Sequence, residues 1–289
     1  MRTVWLNGRL LPEEEARISP FDRGFLLGDA VFETMRAYGG RPFRVEEHLA
    51  RLRRSCEVAR LPFPEEARGA LADVLRANGL ADAALRVTVS RGPGGRGASP
   101  RGAGPPTVLV TATAVEPRPE VWSRGLRLAT ARLPRPQGLD PGVKTTNYLV
   151  NVLAKAQAED AGADDALFVD ADGLVVEATQ ANVFAVLRDR LVTPPLSSGC
   201  LPGVTRAALL DLAPDAGLRA AEAALPREAL LEADEVFLSA SVLEVGPVVA
   251  LDGLQMGGGR PGPVARRLHA LYRKAAGGQA DAGSKPEPS

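Results

Sequence analysis

VKTTNYL (143–149), VVEATQANVF (175–184) and LPGVTR (201–206) follow one another in the second half of the chain, and they decide how the rest is interpreted. The first supplies the amine of Lys144, the second supplies the carboxylate of Glu177, and the third begins a predicted helix at Gly203. An amine, a carboxylate and an anion-binding helix end can together hold a ligand that carries three different functional groups.

Lys144 stands immediately before a predicted helix over 145–161. The apolar residues expected to turn that helix toward the core are Tyr148, Leu149, Val152 and Leu153. A lysine beside a core loses hydration, which lowers its pKa and makes it a nucleophile. A solvated lysine on the surface is the alternative when this residue is considered alone.

Glu177 follows the apolar run of 174–176 and precedes small polar residues and Asn182. A carboxylate buried in such a strand needs a partner. A protonated pyridine nitrogen is a suitable partner, because the ion pair keeps the ring cationic and able to accept electrons. A nearby arginine, or a position facing solvent, is the alternative.

The segment LPGVTR places Gly203, Val204 and Thr205 at the start of an amphipathic helix. Free backbone N–H groups and the positive end of the helix dipole form an anion site there, and the Thr205 hydroxyl adds a donor. We expect Arg51 and Ser241 to complete a shell around a phosphate. A solvated helix face remains the alternative for Arg51 alone.

Together the three segments match the three ends of pyridoxal 5'-phosphate (PLP). Its aldehyde needs an amine, its ring nitrogen a carboxylate, and its phosphate an anion site. The sequence therefore predicts PLP as the cofactor. Neither His48 nor His269 belongs to a cluster of metal-ligand residues, so we expect no metal site.

Composition narrows the class of protein. The chain has 289 residues, 45% of them hydrophobic, and thirty-five basic residues balance thirty-five acidic ones. A balanced charge does not favour nucleic acid or an anionic membrane as a partner, so we expect small-molecule substrates. Cys56 and Cys200 are too few for a disulfide framework, and no apolar run approaches the ~20 residues of a bilayer span. We expect a cytoplasmic protein.

Hydrophobic periodicity predicts an α+β fold with mixed or antiparallel sheets and flanking helices. An Asn7-Gly8 turn predicts a first hairpin, and 30–38 with 41–44 predicts a second. The linker-like EPRPEVW (116–122) suggests two domains and a tail. We predict a smaller N-terminal domain at 1–118, a larger C-terminal domain carrying Lys144 at 119–276, and a disordered tail at 277–289.

Further segments extend the pattern, among them FDRGFLLGDAVFETMRAY (21–38), FRVEEHLARL (43–52) and ADEVFLSASVLEVGPVVALDG (233–253). With the three segments above, the chain resembles the class IV, fold-type IV PLP-dependent aminotransferases over about residues 3–275. The resemblance implies a two-domain fold-type IV enzyme, a homodimer and an amino acid and a 2-oxo acid as substrates. It implies that Lys144 binds the cofactor and moves protons. The other cofactor-binding residues that it implies are Arg51, Tyr148, Glu177, Asn182, Val204, Thr205, Ala240 and Ser241.

The resembling family contains branched-chain and D-amino acid aminotransferases and 4-amino-4-deoxychorismate lyases. VFETMRAY (31–38) is similar to the branched-chain group, although that group usually has glycine in place of Thr34. Thr34 favours the D-amino acid and lyase groups, and its hydroxyl is a candidate for assisting proton transfer. We expect a transaminase acting on a branched-chain or D-amino acid, with the lyase as the alternative.

The glycine- and proline-rich loop RGPGGRGASPRG (91–102) holds Arg91, Arg96 and Arg101. An arginine binds a carboxylate through two parallel hydrogen bonds. We therefore predict that Arg91 and Arg96 bind the substrate carboxylate, with a solvated loop as the alternative.

Overall fold

The computed structural model describes residues 2–134, 140 and 142–277. Its strands are β1 Thr3–Leu6, β2 Arg9–Pro12, β3 Ala30–Tyr38, β4 Arg41–Pro42, β5 Ala83–Ser90, β6 Thr107–Ala114, β7 Leu126–Thr130, β8 Asp165–Val169, β9 Val175–Ala178, β10 Asn182–Leu187, β11 Arg190–Thr193, β12 Arg219–Glu222, β13 Glu235–Ala240, β14 Glu244–Leu251 and β15 Leu254–Gln255. Its α-helices are α1 Arg23–Leu27, α2 Val45–Ala59, α3 Ala67–Asn78, α4 Pro119–Ser123, α5 Leu149–Asp160, α6 Val204–Leu212, α7 Arg227–Leu231 and α8 Pro263–Ala275.

The first sheet contains six strands among the described residues, in the order β2-β1-β6-β5-β3-β4. Its neighbouring strands are antiparallel. Asn7 and Gly8 both have positive φ, as the two-residue hairpin turn between β1 and β2 requires, so the predicted first hairpin is confirmed.

Strand β3 divides its side chains between two environments because successive residues point to opposite faces. Val31, Met35 and Ala37 belong to the hydrophobic core that includes residues of α2 and α3. Phe32 and Thr34 instead line a large cavity on the other face. The sheet therefore has one face in the core and one face available for a site.

The second sheet contains nine strands among the described residues, and its main path runs β12-β11-β10-β13-β14-β7-β8-β9. Most pairs are antiparallel, but β7 pairs in parallel with both β8 and β14, and β11 pairs in parallel with β12. A core that includes Phe184, Phe237 and Leu268 joins this sheet to α6 and α8. The prediction of an α+β fold with mixed sheets and flanking helices is confirmed.

The chain passes from the first sheet to the second through residues 115–125, which include the short helix α4. The predicted domain boundary between 118 and 119 falls in this interval. Of the predicted tail at 277–289, only Gly277 is among the described residues, and 278–289 lie outside them. Throughout the part of the chain described here, no helix has both the length and the apolar composition needed to cross a membrane.

The prediction of which face α5 buries is wrong. Leu149, Val152 and Leu153 are 69%, 58% and 46% exposed. Ala154 and Ala158 are buried instead, because small side chains let the helix lie close to β8. The larger residues face outward, and α1 nearby also exposes apolar side chains: Phe25, Leu26 and Leu27.

Candidate active site

A cavity of about 1320 Å³ lies between the two sheets. Most of the residues predicted for the site line it: Thr34, Arg51, Lys144, Tyr148, Asn182, Val204, Thr205, Ala240 and Ser241. Residues far apart in the sequence therefore meet in one place, as a cofactor site between two units requires.

The backbone around Lys144 is held as an extended segment beside β3. Phe32 N donates to Lys144 O at 2.9 Å, and Thr146 N donates to Ala30 O at 3.0 Å. The Ser55 hydroxyl accepts from Lys144 N at 3.2 Å. The predicted helix thus begins at Leu149 rather than at 145, and Lys144 occupies a fixed edge position.

The amine of Lys144 lies among aromatic groups. Its Nζ donates to Tyr148 Oη at 2.8 Å and lies 4.6 Å from the centroid of the Phe32 ring. Phe32 and Tyr148 pack edge to face, 5.3 Å apart. No carboxylate of the described residues lies within ion-pair distance of Nζ. The amine is half-buried and available to form a covalent bond.

Glu177 lies in β9 immediately behind the cavity wall and is buried. Its Oε2 accepts from Leu201 N at 2.9 Å and from Asn182 Nδ2 at 3.5 Å. Both of those partners line the cavity. These backbone and amide donors fix the orientation of the carboxyl group, so Glu177 presents an acidic group behind this wall.

The predicted anion site is the N-terminus of α6, where Gly203 is the N-cap. A β-carbon at Gly203 would lie only 2.1 Å from Asn182 Oδ1, so the close approach of Asn182 requires glycine here. The first N–H groups of α6, at Val204 and Thr205, have no partner within the helix and adjoin the cavity. This end of the cavity is suited to a phosphate.

Arg51 reaches the same end from α2 and is held there by Glu33. Its Nε and Nη2 donate to the two Glu33 oxygens at 2.6 and 2.8 Å, and its Nη1 donates to Pro202 O at 2.7 Å. Glu33 is fully buried, and the ring of His48 contacts it at 2.8 Å. Burial raises the pKa of Glu33, but Arg51 and His48 outweigh it and hold the pKa at about 2.

Acid should therefore destabilise the protein through Glu33. Its folded pKa of about 2 lies below the ordinary 4.5. A carboxylate with a lower pKa in the folded state stabilises the fold at pH values above its unfolded-state pKa. This stabilisation is lost as the pH falls toward the folded-state pKa, and the loss is about 3 kcal/mol between about pH 4.5 and pH 2. Glu33→Gln should flatten the pH dependence of the unfolding free energy in this range, measured by urea unfolding.

The control is Glu65→Gln, which removes a carboxylate paired with Arg53 on the surface. Exposed ion pairs contribute little, so this variant should keep the parent slope. If Glu33→Gln also keeps the parent slope below pH 4.5, Glu33 does not hold the charge described here.

Within the described chain, the loop arginines do not reach the cavity. Arg91 pairs with Asp29 at 2.8 Å and donates to Ala59 O at 2.7 Å, and Arg96 is exposed. Neither residue lines the cavity. The carboxylate of Asp29 thus pairs with the guanidinium that was predicted to bind substrate.

Arg86 on β5 is a cavity residue that the sequence reasoning missed. It lies opposite Thr34 across the β3–β5 pair, its guanidinium covers the Phe32 ring at 3.6 Å, and its Nε donates to Thr88 Oγ1 at 3.1 Å. No carboxylate of the described residues lies within ion-pair distance, and burial lowers the pKa of Arg86. A half-buried guanidinium facing the cavity is suited to a carboxylate ligand. Alternation along β5 was the signal available to find it.

The donors present fit PLP. The cavity offers an amine at Lys144, a carboxylate at Glu177 behind its wall, and the α6 N-terminus with Arg51 for an anion. Gly203, where a β-carbon would collide with Asn182, shows that this cradle leaves no room for a side chain. When bound, PLP supplies an electron-accepting ring that stabilises a carbanion.

Comparison with known proteins gives the same family. The model of the "Amino-transferase class IV" family matches residues 30–251. The chain is 38% identical over 274 residues to a putative branched-chain-amino-acid aminotransferase of Methanocaldococcus jannaschii, covering 93% of this chain and 95% of that protein. It is 35% identical over 269 residues to the D-alanine aminotransferase of Bacillus licheniformis, covering 92% and 94%.

Solved structures agree. The branched-chain amino acid aminotransferase of Escherichia coli aligns with a TM-score of 0.89 at 31% identity, over 98% of this chain and 97% of that one. Another branched-chain amino acid aminotransferase, solved with pyridoxamine 5'-phosphate, aligns with a TM-score of 0.89 at 33% identity, over 96% and 95%. The chain therefore belongs to the class IV aminotransferases and is a PLP-dependent transaminase.

Proposed function

We propose that the enzyme transfers the amino group of a branched-chain amino acid to a 2-oxo acid. The observation that carries the proposal is the pairing of apolar and cationic groups on one cavity wall. Phe32 contributes an apolar ring to the cavity lining, which can contact an aliphatic side chain. Arg86 contributes a guanidinium that has no acidic partner among the described residues and can bind a carboxylate. Similarity to proteins named as branched-chain aminotransferases supports the choice.

We assign the transfer of the substrate α-proton to the amine of Lys144. Its amine would hold the cofactor, and the same amine, once free, would take the α-proton of the substrate. The Tyr148 hydroxyl, 2.8 Å from Nζ, orients the amine toward the cavity. Thr34 lies on the same wall, and its hydroxyl assists the proton transfer.

The remaining roles follow from charge. Glu177 would hold the ring nitrogen of bound PLP protonated, while Asn182 and the Leu201 amide keep the Glu177 carboxylate oriented. Val204 and Thr205 bind the phosphate through the start of α6. The other members of the proposed phosphate shell are Arg51, Ala240 and Ser241.

A D-amino acid transaminase is the second candidate. Similarity to the D-alanine aminotransferase of Bacillus licheniformis supports it. The lyase alternative has no comparable support from the relatives described above.

A substrate panel tests these proposals. The purified holoenzyme is mixed with L-Leu, L-Val, D-Ala or D-Glu, and conversion of the cofactor to its amino form is followed by absorbance. We expect kcat/KM for L-Leu to exceed that for D-Ala by at least about 100-fold, since a matched pocket discriminates by a few kcal/mol. A preference for D-Ala would transfer the proposal to the second candidate. Release of pyruvate from aminodeoxychorismate in the absence of a 2-oxo acid would contradict the transaminase proposal.

Arg86→Leu should raise KM for 2-oxoglutarate by about 10- to 100-fold, because a charged hydrogen-bonding partner of a substrate carboxylate is lost. KM for L-Leu in the first half-reaction should change much less, since its side chain carries no charge. Steady-state kinetics with each substrate varied in turn measures both constants. Arg190→Leu, an exposed position on β11, is the control. Equal increases in KM for both substrates would show that Arg86 does not bind the distal carboxylate of 2-oxoglutarate.

We also propose that two copies form a homodimer in the cytoplasm. The exposed apolar residues of α1 and α5 support a contact surface, because such patches on a single chain mark association sites. Asn147, which precedes α5, donates to the carbonyl oxygen of Gly28, the residue after α1, at 3.2 Å and links the two segments. Val152→Asp should shift sedimentation velocity from dimer to monomer. Cys56 and Cys200 are both buried, and a chain with so few cysteines suits a reducing compartment.

A further inference from the structure

Glu244 is a buried carboxylate that the reaction described above does not use. It begins β14 and is 5% exposed. Its φ of 63° lies in the left-handed region, which a residue with a side chain adopts at an energetic cost. Such strain persists only where surrounding contacts fix it, and it is frequent at functional sites.

Four side chains from two parts of the chain converge on Glu244. Tyr38 Oη and Arg36 Nη1, both from β3, contact its Oε1 at 2.5 and 3.1 Å. From α8, Arg273 Nη1 donates to Oε1 at 3.1 Å, and His269 Nε2 contacts Oε2 at 2.6 Å. One carboxylate thus joins the first sheet to the last helix of the second unit.

The residues immediately before Glu244 form the 241–243 turn, which follows β13 and lines the cavity. Arg36 contacts this turn directly, because its Nη1 donates to Val242 O at 3.4 Å. Arg36, His269 and Arg273 line the cavity as well. Glu244 therefore fixes the start of β14, and through Arg36 it fixes the turn itself.

The two arginines of this cavity wall, Arg36 and Arg86, differ in whether a carboxylate pairs with them. Arg36 and Arg86 both face the cavity, on neighbouring strands β3 and β5. Arg36 is tied to Glu244, whereas Arg86 has no carboxylate partner among the described residues. The first guanidinium serves the structure and the second is left for a ligand.

We propose that Glu244 is a positioning residue for transamination, which holds the 241–243 turn and Arg36 in place in the cavity wall that faces the substrate. A misplacement of about 1 Å in such a group is enough to cost up to about 100-fold in rate or affinity. The proposal rests on the transaminase activity and on the cavity as the substrate site.

The test replaces Glu244 by glutamine, which keeps the shape and removes the charge. The probe is 4-methylvaleric acid, whose binding to the holoenzyme is measured by the absorbance of the bound cofactor. We expect Glu244→Gln to raise its dissociation constant and the KM of both substrates about tenfold, with kcat changed less than about threefold. Tyr38→Phe, which removes one hydrogen bond to the same carboxylate, should change the same constants in the same direction by a smaller factor.

Glu235→Gln is the matched control. Glu235 accepts from Val264 N and Ala265 N at 2.8 Å each, so it fixes the start of α8 without lining the cavity. The control weakens the same helix, and it should leave the dissociation constant and both KM values within about twofold. Equal changes in the control and in Glu244→Gln would reduce Glu244 to a structural residue.

The direction of the change separates positioning from simple electrostatics. Loss of a negative charge beside an anion site should by itself tighten binding of the acid. Tighter or unchanged binding by Glu244→Gln therefore overturns the proposal. If Glu244→Gln does not fold, Tyr38→Phe decides, and constants within about twofold of the parent overturn it.

A parent enzyme that does not respond to 4-methylvaleric acid would contradict the branched-chain preference, not the role of Glu244. The same comparison is then made with 2-oxoglutarate, whose carboxylates test the turn independently of side-chain preference.

Discussion

Lys144→Ala should lower the rate of transamination by at least about 10⁴-fold. The variant loses both the group that binds the cofactor covalently and the base that moves the α-proton, and proton transfer by a placed side chain alone contributes about 10²–10⁴-fold. The fold should survive, because the backbone of residue 144 keeps its hydrogen bonds to Phe32 and Ser55. Single-turnover absorbance with L-Leu measures the rate, and thermal unfolding confirms the fold.

Lys155→Ala is the control for this prediction. Lys155 also lines the cavity, but its amine pairs with Glu159 at 3.1 Å on α5. Its removal should change the rate less than about threefold. A Lys144→Ala enzyme that keeps more than about a hundredth of the parent rate would assign the amine elsewhere.

Glu177→Gln should have the next largest effect, lowering kcat by about 10²–10³-fold. Without the carboxylate, no acidic side chain at this position would keep the ring nitrogen of bound PLP protonated, and the cofactor would be a weaker electron acceptor. Glutamine keeps an oxygen for the Leu201 amide, so the wall should keep its shape. The measurement is the rate of the half-reaction with saturating L-Leu.

Asp165→Asn is the matched control, because Asp165 is a half-buried carboxylate that lines this cavity. Its Oδ1 accepts from Thr179 Oγ1 at 2.5 Å, a contact within the second sheet. We expect its rate to stay within about threefold of the parent. If Glu177→Gln is no slower than Asp165→Asn, the carboxylate of Glu177 does not serve the ring nitrogen.

The parts of the site that could be predicted are those encoded by short segments. Gly203 and Thr205 open a helix because an N-terminus leaves N–H groups free whatever the tertiary structure. Lys144 and Glu177 each stood out by local context, a lysine before a helix and an acid in an apolar strand. The family resemblance implied that both serve one cofactor, but only the fold shows Lys144 in the cavity and Glu177 behind its wall.

Contacts between distant residues are the part of the structure that the sequence did not reveal. Leu149 and Val152 show a helical apolar period, but periodicity does not reveal whether the surface that covers them belongs to the same chain. Arg91 was assigned to substrate because its loop composition gave no sign of Asp29, 62 residues earlier. A guanidinium pairs with whichever carboxylate the fold brings nearest.

Arg86 and Glu33 were missed for the converse reason. Arg86 alternates with Leu85 and Val87 on β5, and alternation alone assigns a charged residue to a solvent face, whereas Glu33 shares a face of β3 with Val31 and Met35. In this fold the second face of the first sheet lines the cavity. Glu33 can lie on the core face because Arg51 and His48 both contact its carboxylate. The signal in the sequence for Glu33 was a charged residue on the same strand face as core residues.

The central claim is that one amine, at Lys144, binds the cofactor. The chain contains only four lysines, at 144, 155, 274 and 285, so the site of attachment can be read directly. Borohydride reduction of the holoenzyme, followed by peptide mass spectrometry, should place a pyridoxyl group on the peptide containing Lys144 and on no other. A pyridoxyl group on Lys155 or Lys274, or an equal yield of label after Lys144→Ala, would contradict the account.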